Sequence, residues 1–309
     1  MNVSSRSRVF ICAPTYREPG KIASFLESMQ FINYRPLTVI IANASPGDET
    51  EQLIARNGDS VDFDLRQVDG VNSEFWSGTI NRALRVARTE AGYGDWVVMM
   101  NVDIVFNTDI IEGLIHSANL LGISQVGALC HAAGRVISSG VKVQSWALGL
   151  NRHPMAGFPL SEVQSGYFQE VDFLPARCVL FPAAFLHQVG LVSEKMLPHY
   201  GADNEYTHKL IAQGCRAYVV GDVRVECDVE NTGVSVYSAR KTLRKRIEQS
   251  MSIRNSSNVL YRMRYLRLTY PWWALPTAML SYLARSLLEI GLGGTRIRRI
   301  FSRNERGFS

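Results

Sequence analysis

The sequence predicts an α/β fold with a mostly parallel sheet covered by helices on both faces. The first observation is the run Trp96–Met100, five apolar residues without alternation, which is typical of a central strand buried on both faces. The second is the alternation of short apolar runs with segments of helical periodicity. The third is Asp103, just beyond that run, because ligands of open α/β sheets bind beyond the carboxyl ends of the strands.

The first hundred residues contain four predicted strands separated by helices. The apolar positions of the first helix recur at helical spacing, and Pro19 fits its first turn because no backbone N–H is needed there. The predicted strands are 9–13, 37–42, 63–68 and 96–100, and the predicted helices are 19–30, 49–56 and 77–89.

The second half continues the alternation less regularly. Segment 134–166 is rich in Gly, Ser and polar residues, which indicates loops and edge strands. Gly214 is a good C-terminal signal for the helix before it. The predicted strands are 126–130, 179–181 and 217–220, and the predicted helices are 109–121, 182–189 and 202–213. Beyond residue 235 strand signals stop, so we predict a catalytic domain at 1–235 and a helical appendage at 236–309.

Composition and charge narrow the function classes. With 46% hydrophobic and 20% charged residues, the chain is globular, and its net charge of +5 is concentrated in the last third. That basic excess is interleaved with bulky apolar residues, which favours an anionic membrane surface over a nucleic acid. Five scattered cysteines without a C-x-x-C motif indicate a reducing compartment, and residues 1–8 lack the apolar stretch of a signal peptide. We therefore expect a cytoplasmic protein.

The stretch Asn101–Val102–Asp103 is the first candidate for chemistry. A carboxylate at the end of a buried strand can hold a divalent metal, and the metal can neutralise a diphosphate. The alternative is that Asp103 caps a turn before the helix that begins near Asp109.

Three motifs together resemble the family two glycosyltransferases, which have the Rossmann-like GT-A fold, and in particular their rhamnosyltransferase-like branch. They are Pro14-Thr-Tyr-Arg-Glu18, Asn101-Val-Asp103 and Ala202-Asp-Asn-Glu205, in the usual order and spacing. The resemblance covers roughly residues 9–235. It implies a nucleotide-diphosphate-sugar donor, Mg²⁺ or Mn²⁺, and transfer with inversion at the sugar carbon to a glycan or lipid-linked glycan, as in polysaccharide synthesis for the cell envelope.

The resemblance also implies site residues for the donor. Asp103 becomes the metal ligand. The residues expected at the nucleotide and its sugar are Pro14, Thr15, Tyr16, Glu18, Asn43, Trp76, Asn81, Asn101 and Val102. The sequence departs from the family pattern at three points. Asn101 stands where many members have Asp, although Asn-x-Asp occurs in the rhamnosyltransferase-like branch. Ala42-Asn43 stands where the family has an Asp against the base, and no late His ligand is present, so that Cys227 or Asp228 stands near that position.

The acceptor half of the resemblance assigns the catalytic base to Asp203. Inverting transfer needs one base to take the proton of the acceptor hydroxyl, and a partly desolvated carboxylate suits that role. Glu205 lies two residues later, about 200° around a helix, so it cannot substitute for Asp203. The alternative role for Asp203 is an N-cap. Arg177, His199, Tyr200 and Glu205 are the predicted acceptor-side residues.

The segment 270–284 is apolar and aromatic, but Pro276 interrupts it and Arg285 ends it. A membrane span needs about 20 apolar residues, so this segment is too short. Arginines on both sides and aromatic residues at its borders suit the headgroup layer of a membrane, at its cytoplasmic face. The alternative is packing on the catalytic domain or on a second subunit.

Two other functions are compatible with parts of the pattern. A sugar nucleotidyltransferase has a similar sheet, but it needs a Gly-rich phosphate loop after the first strand, and Pro14-Thr-Tyr-Arg-Glu18 is not one. A binding protein that has lost activity would explain the Ala42, Asn101 and missing-His departures.

Overall fold

The computed structural model describes residues 6–58, 61–228, 242–255 and 258–292. The strands are β1 Val9–Thr15, β2 Leu37–Asn43, β3 Asp64–Asp69, β4 Trp96–Met100, β5 Ile104–Phe106, β6 Gln125–Ala132, β7 Arg135–Ser138, β8 Lys142–Ser145, β9 Leu150–Arg152, β10 Phe168–Glu170, β11 Cys178–Pro182 and β12 Ala217–Cys227. The helices are α1 Pro19–Gln30, α2 Glu49–Gly58, α3 Phe75–Glu90, α4 Ile110–Leu120, α5 Ala183–Val189, α6 Ala202–Ala212, α7 Leu243–Ser250, α8 Val259–Thr269 and α9 Leu275–Leu292.

The main sheet has the strand order β10-β12-β6-β11-β4-β1-β2-β3, with β5 paired to β12 and β7 paired to β6. The half made of β4, β1, β2 and β3 is parallel, as the alternation of strands and helices predicts. In the other half β6 and β12 are parallel, whereas β11 runs antiparallel to both of its neighbours. A fully buried strand has the same continuous apolar sequence in either direction, so the sequence did not reveal the direction of β11.

Both faces of the sheet are covered, which confirms the predicted layers. Along β4 the side chains alternate, so that Val97 and Met99 enter one hydrophobic cluster and Val98 and Met100 enter the other. Helices α1 and α4 cover the second cluster, and α3, α5 and α6 cover the first. The apolar stripe predicted for α1 is buried: Ile22, Phe25, Leu26 and Met29.

The C-terminal helices share the core of the catalytic domain. Tyr265, Leu266 and Tyr270 are buried in the same cluster as Val97 of the central strand, and so is Ala278 of α9. The predicted boundary at 235/236 lies outside the described residues. Among the residues that the structure describes, no helix has the length and hydropathy to cross a membrane.

We expect the appendage to unfold together with the domain. Leu266 is 1% exposed, so Leu266→Ala should cost about 2–5 kcal/mol of unfolding free energy by loss of burial and creation of a cavity. Leu268 on the same helix is 36% exposed, and Leu268→Ala should cost well under half as much. Urea unfolding followed by tryptophan fluorescence and far-UV circular dichroism measures both. The appendage would be independent if two unfolding transitions were seen and Leu266→Ala left the urea midpoint of the main one unchanged.

Candidate active site

The turn after β1 lies at the carboxyl edge of the sheet, beside the end of β2. The backbone N–H of Ala44 donates to the Thr15 carbonyl at 3.0 Å, which joins the two strand ends. Arg17 has a φ of 52°, a strained conformation for a residue with a side chain, and its N–H donates to Ser45 Oγ. Pro14 and Thr15 are buried and Tyr16 is half-buried. The hydroxyl of Thr15 is buried without a hydrogen-bond partner in the described chain.

Asn43 orders the loop after β2. Its Oδ1 accepts from the N–H and the hydroxyl of Ser45, and its Nδ2 donates to Asp48 at 3.3 Å. Burial acts to raise the pKa of Asp48, but hydrogen bonds from Ser45, Asn43 and Thr50 outweigh it and lower that pKa. Asp48 was not among the predicted site residues. Asn43 therefore shapes the loop that follows β2.

Asp103 follows β4 and points one oxygen into the protein. Its Oδ1 is buried and has no hydrogen-bond partner among the described residues. Asn101 is bonded on both sides: Trp76 Nε1 donates to its Oδ1 at 3.2 Å, and its N–H donates to the Arg177 carbonyl at 3.0 Å. Val102 between them is buried. The predicted residues Trp76, Asn101 and Asp103 thus lie together at one edge of the sheet.

Two cations stand among the carboxylates of this edge. Arg177 Nη1 lies 3.9 Å from Asp103 Oδ2. Lys21 Nζ lies 2.9 Å from Glu18 and 3.7 Å from Asp228, and the Asp228 N–H donates to the Asp103 carbonyl. Burial acts to lower the pKa of Lys21, but Glu18, Asp103 and Asp228 outweigh it and raise that pKa. Lys21 was not among the predicted site residues, although its spacing of three residues from Glu18 at the start of a helix was a usable signal.

The residues present fit a metal held by one protein carboxylate. The unpartnered Oδ1 of Asp103 is a hard oxygen ligand of the kind that Mg²⁺ and Mn²⁺ take. Among the described residues, no group of three or more His, Cys, Asp or Glu side chains could hold a metal by itself. The remaining ligands would have to come from a bound diphosphate and water.

Asp203 lies near the start of α6, on the acceptor side. The N-cap of α6 is Gly201, with a φ of 79°, so the alternative role of Asp203 as N-cap is wrong. One oxygen of Asp203, Oδ2, accepts from the Ala176 N–H at 3.2 Å. Desolvation by burial outweighs the hydrogen bonds and the charge of Arg177, and it raises the pKa of Asp203. A largely buried carboxylate with a raised pKa is a better proton acceptor than an ordinary surface aspartate.

Glu205 faces away from Asp203, as its helical position predicts. It is 2% exposed, accepts from Ser193 Oγ at 3.0 Å, and lies 3.8 Å from Lys209. Burial raises the pKa of Glu205 more than Lys209 and Ser193 lower it. These contacts hold α6 against the segment before it.

His199 and Tyr200 lie in the turn before α6, with their rings 4.4 Å apart. Burial, together with the charge of Arg254, lowers the pKa of His199 to about 4. The imidazole is therefore neutral near pH 7 and is a weak base. Asp203 is the stronger candidate of the two.

Asn81, a predicted donor-site residue, is buried in α3 with its amide fully engaged. Its Nδ2 donates to the Val192 carbonyl and to Glu194, and its Oδ1 accepts from the Val192 N–H. These bonds fix α3 to the segment 190–194. The donor-site role of Asn81 stays a prediction that these contacts do not support.

The curled α/β sheet, with helices on both faces and acidic residues at its carboxyl edge, defines the GT-A class of fold. Residues 10–159 match the model of Glycosyl transferase family 2. A search of curated protein sequences returned no match.

Solved structures agree with the fold. The mannosyltransferase PcManGT from Pyrobaculum calidifontis, in complex with GDP-Man and Mn²⁺, is 19% identical with a TM-score of 0.51, covering 92% of this chain and 76% of that one. TarS 1-349 from S. aureus with UDP is 15% identical with a TM-score of 0.51, covering 84% and 70%. GalNAc-T7 with UDP, GalNAc and Mn²⁺ is 12% identical with a TM-score of 0.56, covering 92% and 57%.

If Asp103 is the metal ligand, Asp103→Ala should abolish the Mn²⁺-dependent part of nucleotide binding and leave the fold intact. The loss follows because the unpartnered Oδ1 of Asp103 is the proposed ligand atom, whereas Glu18 and Asp228 at the same edge are paired with Lys21. Calorimetric titration of UDP and GDP with and without Mn²⁺ measures it. Asp109→Ala, at an exposed carboxylate six residues later, is the control and should bind like wild type. Unchanged Mn²⁺ dependence in Asp103→Ala would remove Asp103 from the site.

Proposed function

We propose that the protein is an inverting, metal-assisted glycosyltransferase that moves a sugar from a nucleotide-diphosphate donor to a hydroxyl of a glycan or lipid-linked glycan. The family two domain and the GT-A fold support a glycosyltransferase. The GDP-Man and Mn²⁺ of PcManGT and the UDP and Mn²⁺ of GalNAc-T7 support a nucleotide sugar and a divalent metal for this chain as well. The rhamnosyltransferase-like branch remains our proposal from the sequence motifs.

One observation carries the proposal: two neighbouring residues contact the two key carboxylates. The N–H of Ala176 donates to Asp203, and the guanidinium of Arg177 lies beside Asp103. Two consecutive residues thus contact the candidate base and the candidate metal ligand. A donor diphosphate near Asp103 would place its sugar within reach of an acceptor near Asp203.

The proposed reaction uses Asp203 as general base. Its carboxylate takes the proton of the acceptor hydroxyl while that oxygen forms a bond to the anomeric carbon. The bond between this carbon and the diphosphate oxygen breaks, and the nucleoside diphosphate leaves with the electron pair. Attack opposite to the leaving group inverts the anomeric centre.

The other site residues would bind the donor and neutralise the charge of its diphosphate. Asp103 would hold the metal, which when bound supplies charge neutralisation for the diphosphate. Arg177 and Lys21 add positive charge at the same edge. The strand-end residues Thr15, Tyr16, Glu18 and Asn43, together with Trp76, are proposed for the nucleotide and sugar.

Asp203→Asn should fold and bind donor normally but lose roughly 10²–10⁴-fold in transfer rate, the usual contribution of a positioned general base. The change keeps the size of the side chain and removes its ability to accept a proton. The rate at saturating donor, with the nucleotide sugar that most raises the melting temperature in the presence of Mn²⁺, is the measurement. Glu205→Gln is the internal control and should lose much less, since Glu205 points into the protein.

The pH profile provides a second readout of the same prediction. Because the pKa of Asp203 is raised, the base is lost as pH falls through a value above that of an ordinary aspartate, about 3.9. In wild type, the acid limb of the kcat/KM profile should therefore lie above the pKa of an ordinary aspartate. A near-normal rate in Asp203→Asn would move the base elsewhere, and nucleotide binding without any transfer by wild type would indicate a binding protein instead.

We also propose that the C-terminal helices attach the protein to an anionic membrane at its cytoplasmic face. Trp272 and Trp273 are 83% and 56% exposed, and Trp273, Leu280 and Leu287 recur every seven residues on the exposed side. The basic residues of the tail complement anionic headgroups. Not all of the flanking arginines serve this surface: Arg285 donates to the Leu148 and Gly149 carbonyls, and Arg296, Arg298 and Arg299 lie outside the described residues.

Point changes test this surface better than truncation, because removing the tail would also remove core residues such as Tyr265. Trp272→Ala combined with Trp273→Ala should weaken binding to phosphatidylglycerol vesicles by about tenfold for each tryptophan that enters the headgroup layer. Vesicle co-sedimentation at low salt is the measurement. Tyr93→Ala, which removes an exposed aromatic side chain outside the C-terminal helices, is the control. If wild type ignores these vesicles, the exposed face packs on protein.

A further inference from the structure

A cavity of 250 Å³ lies between the start of α6 and helix α8 of the appendage. Its wall includes Asp203 and Asn204 from the catalytic domain and Tyr261, Arg262 and Tyr265 from α8. The proposed base and the tail therefore share one cavity. The family model ends at residue 159, so neither wall lies within the part of the chain that it matches.

Arg262 is held in place by aromatic rings. Its guanidinium carbon lies 4.8 Å from the ring centroid of Tyr265 and 5.6 Å from that of Tyr282, within the range of cation–π attraction. Its Nε has no hydrogen-bond partner in the described part of the chain. A planar guanidinium fixed in this way keeps its fork of donors preorganised for a ligand.

Helix α8 also fixes the turn that leads to Asp203. Gly201 has a positive φ, and a Cβ added there would lie 3.1 Å from the Tyr265 ring. The close approach of Gly201 and Tyr265 joins the N-terminus of α6 to the wall that carries Arg262. A ligand in the cavity would therefore touch the tail and the proposed base together.

The chemistry of the wall favours a sugar ring over an anion. The wall combines donors on Arg262 with acceptors on Asp203 and Asn204, whose Oδ1 is also buried without a partner in the residues described. Sugar hydroxyls donate and accept, so they satisfy both kinds of group, whereas a phosphate accepts far more than it donates and its negative charge is repelled by Asp203. The volume equals that of about eight water molecules at roughly 30 Å³ each, which is room for one monosaccharide ring.

We propose that this cavity is the acceptor subsite, that it takes one sugar ring of the acceptor, and that Arg262 determines whether the ring is accepted. The proposal rests on the proposed glycosyltransferase function for its place in the reaction, but the binding of a sugar in the cavity does not depend on it. The Asp203 carboxylate faces the hydroxyl of that ring, while the donor binds on the Asp103 side.

The test measures sugar binding and turnover separately. Saturation-transfer NMR with methyl glycosides of glucose, galactose, mannose and N-acetylglucosamine should give a signal with wild type. Arg262→Gln should weaken the binding of the best glycoside by roughly tenfold or more, the usual contribution of a hydrogen bond from a charged group. Arg267→Gln, on the exposed side of the same helix, should bind like wild type. Arg262→Lys keeps the charge and the ring contact but loses the planar set of guanidinium donors. Its affinity should fall between those of wild type and Arg262→Gln.

In turnover, Arg262→Gln should raise the acceptor KM by a similar factor, whereas Arg267→Gln should leave it unchanged. The proposal would be overturned if the folded proteins gave no glycoside signal that depends on Arg262. Arg262-dependent binding of inorganic phosphate or diphosphate without glycoside binding would also overturn it and assign the cavity to an anion. Absence of donor binding and hydrolysis in wild type would instead overturn the proposed function. The glycoside measurement would still decide whether the cavity binds a sugar. If Arg262→Gln does not fold, Asn204→Ala on the opposite wall carries the same test.

Discussion

The antiparallel direction of β11 is the constraint on which the site depends. Because β11 runs against β4, its first residue Cys178 pairs with Met100, the last residue of β4. The residues just before β11 therefore lie at the edge where the parallel strands end, and the Asn101 N–H donates to the Arg177 carbonyl there. A parallel β11 would carry Arg177 to the opposite edge. The contacts of Ala176 with Asp203 and of Arg177 with Asp103 follow from this single direction of the chain.

The sequence predicted most of the elements because burial and helical periodicity leave a direct record in the order of apolar residues. The helix at 19–30 was predicted at its observed bounds, and the strand at 179–181 is the centre of β11. What the apolar run could not reveal was the direction of β11, and with it the position of Arg177 beside Asp103. Motif spacing indicated Asp103 and Asp203, but Lys21 and Arg262 were missed as site candidates, because a lysine on a helix and an arginine in a basic tail resemble ordinary surface residues.

The charges at the edge of the sheet suggest that metal and donor bind together. Glu18, Asp103 and Asp228 are already accompanied by Lys21 and Arg177. A divalent cation arriving alone would gain one free carboxylate oxygen and meet two positive charges nearby. A diphosphate brings negative charge and further oxygen ligands, so it would offset this repulsion and complete the coordination proposed for Asp103. Weak binding of metal in the absence of nucleotide is the expected consequence.

Helix α8 connects the two proposals made for the tail. Tyr261, Arg262 and Tyr265 face the cavity or the core, whereas Leu260 and Arg267 are exposed on the other side of the helix. Because residues three and four apart share a face of a helix, one short helix can line the cavity and border the proposed membrane surface. A sugar ring tethered to a lipid could then occupy the cavity while its lipid stays in the membrane. The appendage would thereby act as a wall of the acceptor site, which explains why its aromatic residues are buried in the catalytic core.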